Sequence, residues 1–461
     1  MLNKIFKFNH KELFLSSSLN FVFVSFIFLF GIKYENFQFR FIIFALLIPC
    51  VLKILNKKNL FDIKIFLLFF LILVIHSLLN IYFENSRLTN YHFFGIVALT
   101  SIFVISFYYY DVFNKNIKNI VNLFLIIFFI SVCISFFNYG FDDDTLLFCG
   151  GIKIFKFLPN LGKYLPPDVD FTRIDDLKIS LKIFLFVENS HLGMIAPSII
   201  IYLLYLISKK ETSFLSNFFT FVFIVICLIN SSTTLLLGTS LSLLVIVFFN
   251  YKRIKVKTLT LFSLIFILFF GILIFDDECR KRFVPTYQVT EDAFGVAQTV
   301  KNPKYKVIGE IDENLALKIS KFLKVKSGNL SSGVHYRAMM IAKKSIIKKP
   351  FGWGINRYNV ASKYYSERKP SKVSDLNSYN NKDGTNNFIK ILVEFGIFGI
   401  LVYFFIILFL INKNISLDLK FFYLPFIITQ SLRGGGYFHG GFVLILFLML
   451  FTYIKVYKKV K

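Results

Sequence analysis

The sequence predicts an all-α polytopic membrane protein, with about 12 transmembrane helices and one large, partly helical external loop. Three observations carry this prediction. Apolar residues make up 56% of the 461 residues, above the roughly 45–50% of soluble domains. They gather into runs of about 20, the length a helix needs to cross ~30 Å of hydrocarbon. Lysine and arginine then alternate from loop to loop as the positive-inside rule requires.

The predicted spans are 13–32, 37–55, 63–82, 92–113, 117–138, 191–207, 214–230, 233–250, 257–275, 388–411, 418–432 and 440–456. No small-residue cleavage site follows the first run, so it reads as an uncleaved signal anchor. Twelve spans put both termini on one side. The short loops on that side carry 21 bases against five acids, whereas those on the other side carry Lys33, Arg87, Arg433 and little else. The basic side is cytoplasmic by this rule. The chain thus divides into N-terminal membrane helices (1–138), a first external loop (139–190), central membrane helices (191–275), a large external loop (276–387) and C-terminal membrane helices (388–461).

The net charge of +26 would suggest nucleic acid in a soluble chain, but here it follows the loops. The large loop holds 21 bases and 11 acids. A basic surface beside a membrane suits an anionic substrate held at the bilayer, such as a lipid-linked diphosphate, and equally suits a solvated basic domain. Cys149 and Cys279 fall in external segments, where a disulfide is open to them. The six histidines are scattered, without an HExxH or His/Cys cluster, and no phosphate-binding glycine–lysine loop occurs, so neither a metal nor a cofactor is expected.

Three segments carry candidate chemistry. The first is Gly333–Lys349, where Ala338, Ile341, Ala342 and Ile346 recur at helical spacing with lysines on the opposite, wet face. Arg337 opens this helix beside His335 and Tyr336, and a guanidinium offers phosphate a planar fork of donors. The helix stops at Pro350, before Phe351-Gly352-Trp353-Gly354, where the single tryptophan is expected to anchor at the membrane interface. The second segment is Glu188-Asn189-Ser190-His191 at the mouth of a span, where Glu188 and His191 share a helical face. The alternative reading is a polar cap led by Ser190. The third is the glycine-rich loop from Arg433 to Gly441, with one arginine and His439. Its glycines permit close approach of backbone N–H groups to an anion.

These segments, in this order, resemble the O-antigen polymerase and ligase superfamily. Its members have many spans and a large periplasmic loop holding an arginine-bearing helix that closes on a Pro-x-x-Gly-x-Gly-like turn. Here that is Arg337 through Pro350-Phe-Gly-Trp-Gly354. The family then enters a span through a His-Asn pair and Glu-x-Gly-x-x-Gly, which here reads Asn386-Asn387 and Glu394-Phe-Gly-Ile-Phe-Gly399. Glu188-Asn-Ser-His191 is similar to the Glu-Pro-Ser-His element of the polymerases, and Ser231-Ser232-Thr233-Thr234 to their Ser-rich central span. Asn386 stands where ligases carry histidine, and the central span lacks the ligase arginine.

The resemblance implies a GT-C-like fold in the bacterial inner membrane. It implies a glycosyltransferase that joins oligosaccharide repeats on undecaprenyl diphosphate at the periplasmic face, with membrane lipid and a chain-length regulator as further partners. By the same token Arg337, Arg433 and Arg357 would stabilise the diphosphate, and Glu188, His191 or His335 would handle the acceptor proton. Tyr336, Asn386, Asn387 and His439 would line the substrate site. The alternatives are an O-antigen ligase, a lipid-linked sugar transporter or flippase, and a structural or sensory membrane protein.

Overall fold

A computed structural model describes residues 10–29, 33–34, 37–57, 60–84, 90–139, 189–229, 232–276, 279–280, 283, 330–365, 384–434 and 436–460. These residues are helical apart from one short antiparallel pair, β1 (Lys33–Tyr34) with β2 (Phe37–Gln38), and their connections. The helices are α1 (His10–Ile27), α2 (Leu47–Lys57), α3 (Leu60–Glu84), α4 (Asn90–Tyr139), α5 (Asn189–Ser208), α6 (Phe214–Ile229) and α7 (Thr233–Asn250). They continue as α8 (Val256–Phe275), α9 (Leu330–Lys348), α10 (Tyr358–Tyr365), α11 (Asn387–Phe395), α12 (Ile397–Ile411), α13 (Leu417–Leu432) and α14 (Phe442–Val460).

Among the described residues, six helices are long and apolar enough to cross a membrane: α3, α4, α5, α7, α8 and α14. Shorter apolar helices lie within α1, α6 and α12. This is a multi-pass membrane protein. Its centre is α5, which packs on α7 and α13; 89% of the α5 apolar window is buried, against 22% in α8 and 28% in α3. The last two therefore form the outer wall, where Leu71, Ile75, Ile267 and Phe275 stay exposed to the bilayer. The two central helices α5 and α13 each carry an internal proline, Pro197 and Pro425, and the Ser198 hydroxyl donates to the Phe422 carbonyl between them at 2.7 Å.

The two ends of the bundle differ. At one end charged residues tie connections together: Lys455 pairs with Asp111, Lys209 with Asp418 at 3.0 Å, and Arg253 donates to the Ile415 carbonyl at 3.1 Å. These are the segments that the charge pattern assigns to one side. The other end, the site end, carries α9, α10, α11 and residues 433–441.

Twelve spans are expected, whereas six described helices are long and apolar enough, and the segments differ most in three places. Segment 37–55 is divided among β2, a 3-10 helix at Phe39–Leu46 and the 11-residue α2. Segments 92–113 and 117–138 form one helix, the 50-residue α4, with no turn at Asn114–Lys118. The polar residues there serve neighbours instead: Asn114 donates to Thr452 Oγ1 at 2.9 Å and Lys118 to the Glu211 carbonyl at 2.7 Å. Segment 388–411 is broken into α11 and α12 at Gly396, whose φ of 56° lies in the left-handed region.

The break has a packing cause. A Cβ on Gly396 would sit 2.0 Å from the Pro350 carbonyl oxygen, and one on Gly352 would sit 2.3 Å from that of Glu394. The turn after α9 therefore lies backbone against backbone on the α11–α12 junction. Three hydrogen bonds stitch them: Trp353 N to Val393 O at 2.9 Å, Gly354 N to Glu394 O at 3.0 Å and Ile397 N to Pro350 O at 2.8 Å. The two glycine motifs, some 40 residues apart in sequence, are two halves of one contact.

Gly396→Ala is accordingly expected to destabilise the purified protein by about 3 kcal/mol or more, through both the backbone strain and the clash. A Cβ added to Gly271, in the middle of α8, would meet nothing within 4 Å, so Gly271→Ala should be neutral or stabilising. Heating each variant in detergent and measuring the fraction that stays monodisperse checks both.

Candidate active site at the site end

The site end is organised around Glu394, in the last turn of α11 and wholly buried. Its carboxylate accepts from the backbone N–H of Asn356 at 2.8 Å and of Tyr358 at 3.1 Å, and from the Tyr437 hydroxyl at 2.5 Å. Lys390, one turn earlier, lies 3.5 Å away and also faces the Tyr437 ring. Burial, and then the Glu394 charge, hold the Tyr437 phenol far above its ordinary range, so it serves as a fixed donor. Asn356 has a φ of 58°, a conformation that the two N–H bonds to Glu394 maintain.

A small apolar cluster fills the space between these parts. It joins Ala338, Ile341 and Ala342 of α9, Trp353 of the turn, Tyr358, Ala361 and Tyr365 of α10, and Ile389 and Val393 of α11. Trp353 is 3% exposed, and its indole N–H donates to Ser345 Oγ at 3.1 Å. It is thus a core residue and not the interfacial anchor its sequence context suggests. Arg337 shares the buried face of α9 and donates to Ser362 Oγ of α10 at 2.8 Å.

The other predicted residues fall into two contacts and a cap. Arg433, the C-cap of α13, donates from Nη1 to His335 Nε2 at 3.3 Å, across 98 residues of chain. A guanidinium is only a donor, so His335 accepts here and carries its proton on Nδ1. Burial and the Arg433 charge push the His335 value down from its usual 6.5 to about 3. His191, in the first turn of α5, meets His439 ring to ring, with centroids 4.9 Å apart. Asn386 caps α11, its side chain accepting from Ile389 N at 2.8 Å. Asn387 beside it is fully buried, with neither amide atom bonded, and lies against Gly434. Arg357 is buried in the turn that Glu394 holds, and Tyr336 is half-buried next to His335. Glu188 lies outside the described residues.

The loop between α13 and α14 joins the two contacts. The Gly434 N–H donates to the Thr385 carbonyl at 3.2 Å, and Gln430 Nε2 donates to the Gly440 carbonyl at 2.7 Å. A Cβ on Gly440 would meet Gln430 at 2.7 Å and one on Gly441 would meet Ile27 at 2.9 Å, so these glycines seat the loop on α13 and α1. Arg433 and His439, at the two ends of this loop, each reach a histidine from another part of the chain. Among the described residues no group of three metal-binding side chains occurs. Cys279, just beyond α8, is disulfide-bonded, while Cys50, Cys133 and Cys227 are free.

Residues 218–404 match a family model described as O-antigen ligase. The matched stretch runs from α6 into α12 and includes His335, Arg337, Arg357, Asn386, Asn387 and Glu394. His191, Arg433 and His439 lie outside it but touch one another or residues within it. No curated protein and no solved structure matches the chain. Glu394, Lys390 and Tyr437 do not stand out as site residues in the sequence. The Glu-x-Gly motif contains the first, but its partners are backbone N–H groups and a tyrosine 43 residues away.

The neutral state of His335 is testable. Its folded value near 3 lies below the ordinary 6.5, so the unfolded chain takes up the proton first and acidification through that window destabilises the fold. NMR of histidine-labelled protein, with the His335 signal assigned from His335→Gln, should show that ring untitrated between about pH 5 and 8. A ring titrating near 6.5 contradicts the contact with Arg433.

Proposed function

We propose that this protein is a polysaccharide polymerase that joins undecaprenyl-diphosphate-linked oligosaccharide repeats on the periplasmic face of the bacterial inner membrane. The observation that carries the reading is the Arg433–His335 contact, which fixes a permanent cation at the end of the central helix α13, against a residue of the stretch that matches the family. In this reading the lipid diphosphate binds there, with its tail in the bilayer. We read both termini as cytoplasmic, a reading supported by the basic connections gathered at the far end.

The reaction breaks the bond between the donor sugar's anomeric carbon and the diphosphate oxygen, and forms one to the acceptor hydroxyl oxygen. Negative charge develops on the departing diphosphate. Arg433 stabilises it, and neutral His335 orients the guanidinium without competing for the anion. The acceptor hydroxyl must lose its proton. His335 has committed Nε2 to Arg433, and Glu188 lies outside the described residues, so we assign that role to His191, whose ring meets that of His439. Arg337 and Arg357 contribute positive potential from buried positions, and Asn387 offers an amide to a sugar hydroxyl.

A second reading, transfer of the finished glycan to a lipid acceptor, has the description of the matched family in its favour. Against it, the position where ligases carry histidine is Asn386, and its side chain is used to cap α11. Surface glycans from deletion cells, complemented with wild type, Arg337→Ala or Arg433→Ala, distinguish the readings. The polymerase reading expects single-repeat glycan in the deletion, a ladder restored by wild type, and a loss of at least about 100-fold in ladder for Arg433→Ala. Long polymer accumulating on the carrier lipid indicates the ligase. An unchanged ladder in the deletion overturns both and favours transport or a structural role.

A further inference from the structure

Helix α9 is apolar on two sides. One face, through Arg337, Ala338, Ile341 and Ser345, packs into the protein. At 100° per residue the opposite face carries Tyr336, Met339, Met340, Ile346 and Ile347, with Lys343 among them. The sequence pattern assigns lysines to that face, but the structure gives it mostly apolar residues. Met339 is 60% and Ile347 74% exposed. A helix that is apolar around its circumference belongs inside a protein or against lipid.

Its two ends fix where it lies. His335 near the start touches Arg433, at the outer end of α13. Past its last turn, Phe351 bonds through its carbonyl to His76 of α3 at 3.0 Å, and its ring, 57% exposed, lies 6.3 Å from that of Phe398 on α12. Both ends of α9 thus rest on the rim of the membrane bundle, so the helix lies across that rim. The exposed face runs on through Phe351 into the bilayer-facing side of α12 at Phe398 and Leu401. Lys343 lies on this face and Lys344 beside it, with no acid in the segment, and long lysine stems reach from an apolar bed to a charged surface.

We propose that the outer face of α9 beds into the headgroup–acyl boundary of the membrane, with its lysines on anionic lipid phosphates. The membrane then sets the height of His335 and Arg337. This does not depend on the polymerase reading.

The test uses the full chain in nanodiscs, with the exposed Cys133 replaced by alanine and a nitroxide on Ile347→Cys. A control label replaces Lys363, exposed on α10. The emission maximum of buried Trp353 reports that each variant is folded. In phosphatidylglycerol discs, the label at 347 should show an oxygen-to-nickel accessibility ratio severalfold above that at 363. The ratio should fall in phosphatidylcholine discs or with Lys343→Glu and Lys344→Glu. A water-like ratio at 347 in phosphatidylglycerol overturns the proposal, and an equal ratio in both lipids overturns the role of the lysines.

Discussion

The arrangement of the site end depends on one buried carboxylate. Taking a carboxylate out of water costs several kcal/mol unless its oxygens are satisfied. Glu394 meets this with two backbone N–H groups, a tyrosine hydroxyl and a nearby lysine. Each partner comes from a different part of the chain: the turn after α9, the start of α10, the loop between α13 and α14, and α11 itself. The requirement that none be lost is what makes these parts fold as one body. Arg433 lies four residues before Tyr437 on the same loop, so its position follows from the Tyr437–Glu394 bond.

Around this anchor, backbone contact and side-chain chemistry are divided between residues. Gly352 and Gly396 allow two chain segments to touch without intervening side chains. Asn386 spends its oxygen on the first turn of α11, which leaves its neighbour Asn387 as the amide with bonds to offer. Histidines are divided in the same way. His335 accepts from an arginine and is held neutral, whereas His191 and His439 meet through their rings.

Much of the membrane architecture is legible in the sequence, because hydrocarbon imposes its length and polarity on each crossing. The site residues are legible as types. Arg433, His191 and His439 stand out as polar groups at span mouths and His335 at the start of the loop helix, and the structure brings them into two contacts. Their pairing is not legible, since it joins positions 98 and 248 residues apart. The break at Gly396 is hidden inside an apolar run whose hydropathy is the same with or without it; only the approach of Pro350 reveals the need for it. Trp353 suits an interface by composition, but Ser345 and the apolar cluster hold it inside. Likewise, periodicity identifies one apolar face of α9, and the second is masked by the lysines interspersed with it.

Trp353, the single tryptophan, sits in the turn that Glu394 holds and so reports directly on that anchor. The most direct measurement is its fluorescence in purified wild-type protein and in Glu394→Gln, with acrylamide as quencher. The account predicts a blue-shifted, poorly quenched emission in the wild type, and a red shift with severalfold stronger quenching in the variant, because an amide cannot accept from all three donors and pair with Lys390. Identical spectra and quenching in the two proteins would contradict it, showing that the site end holds together without the carboxylate.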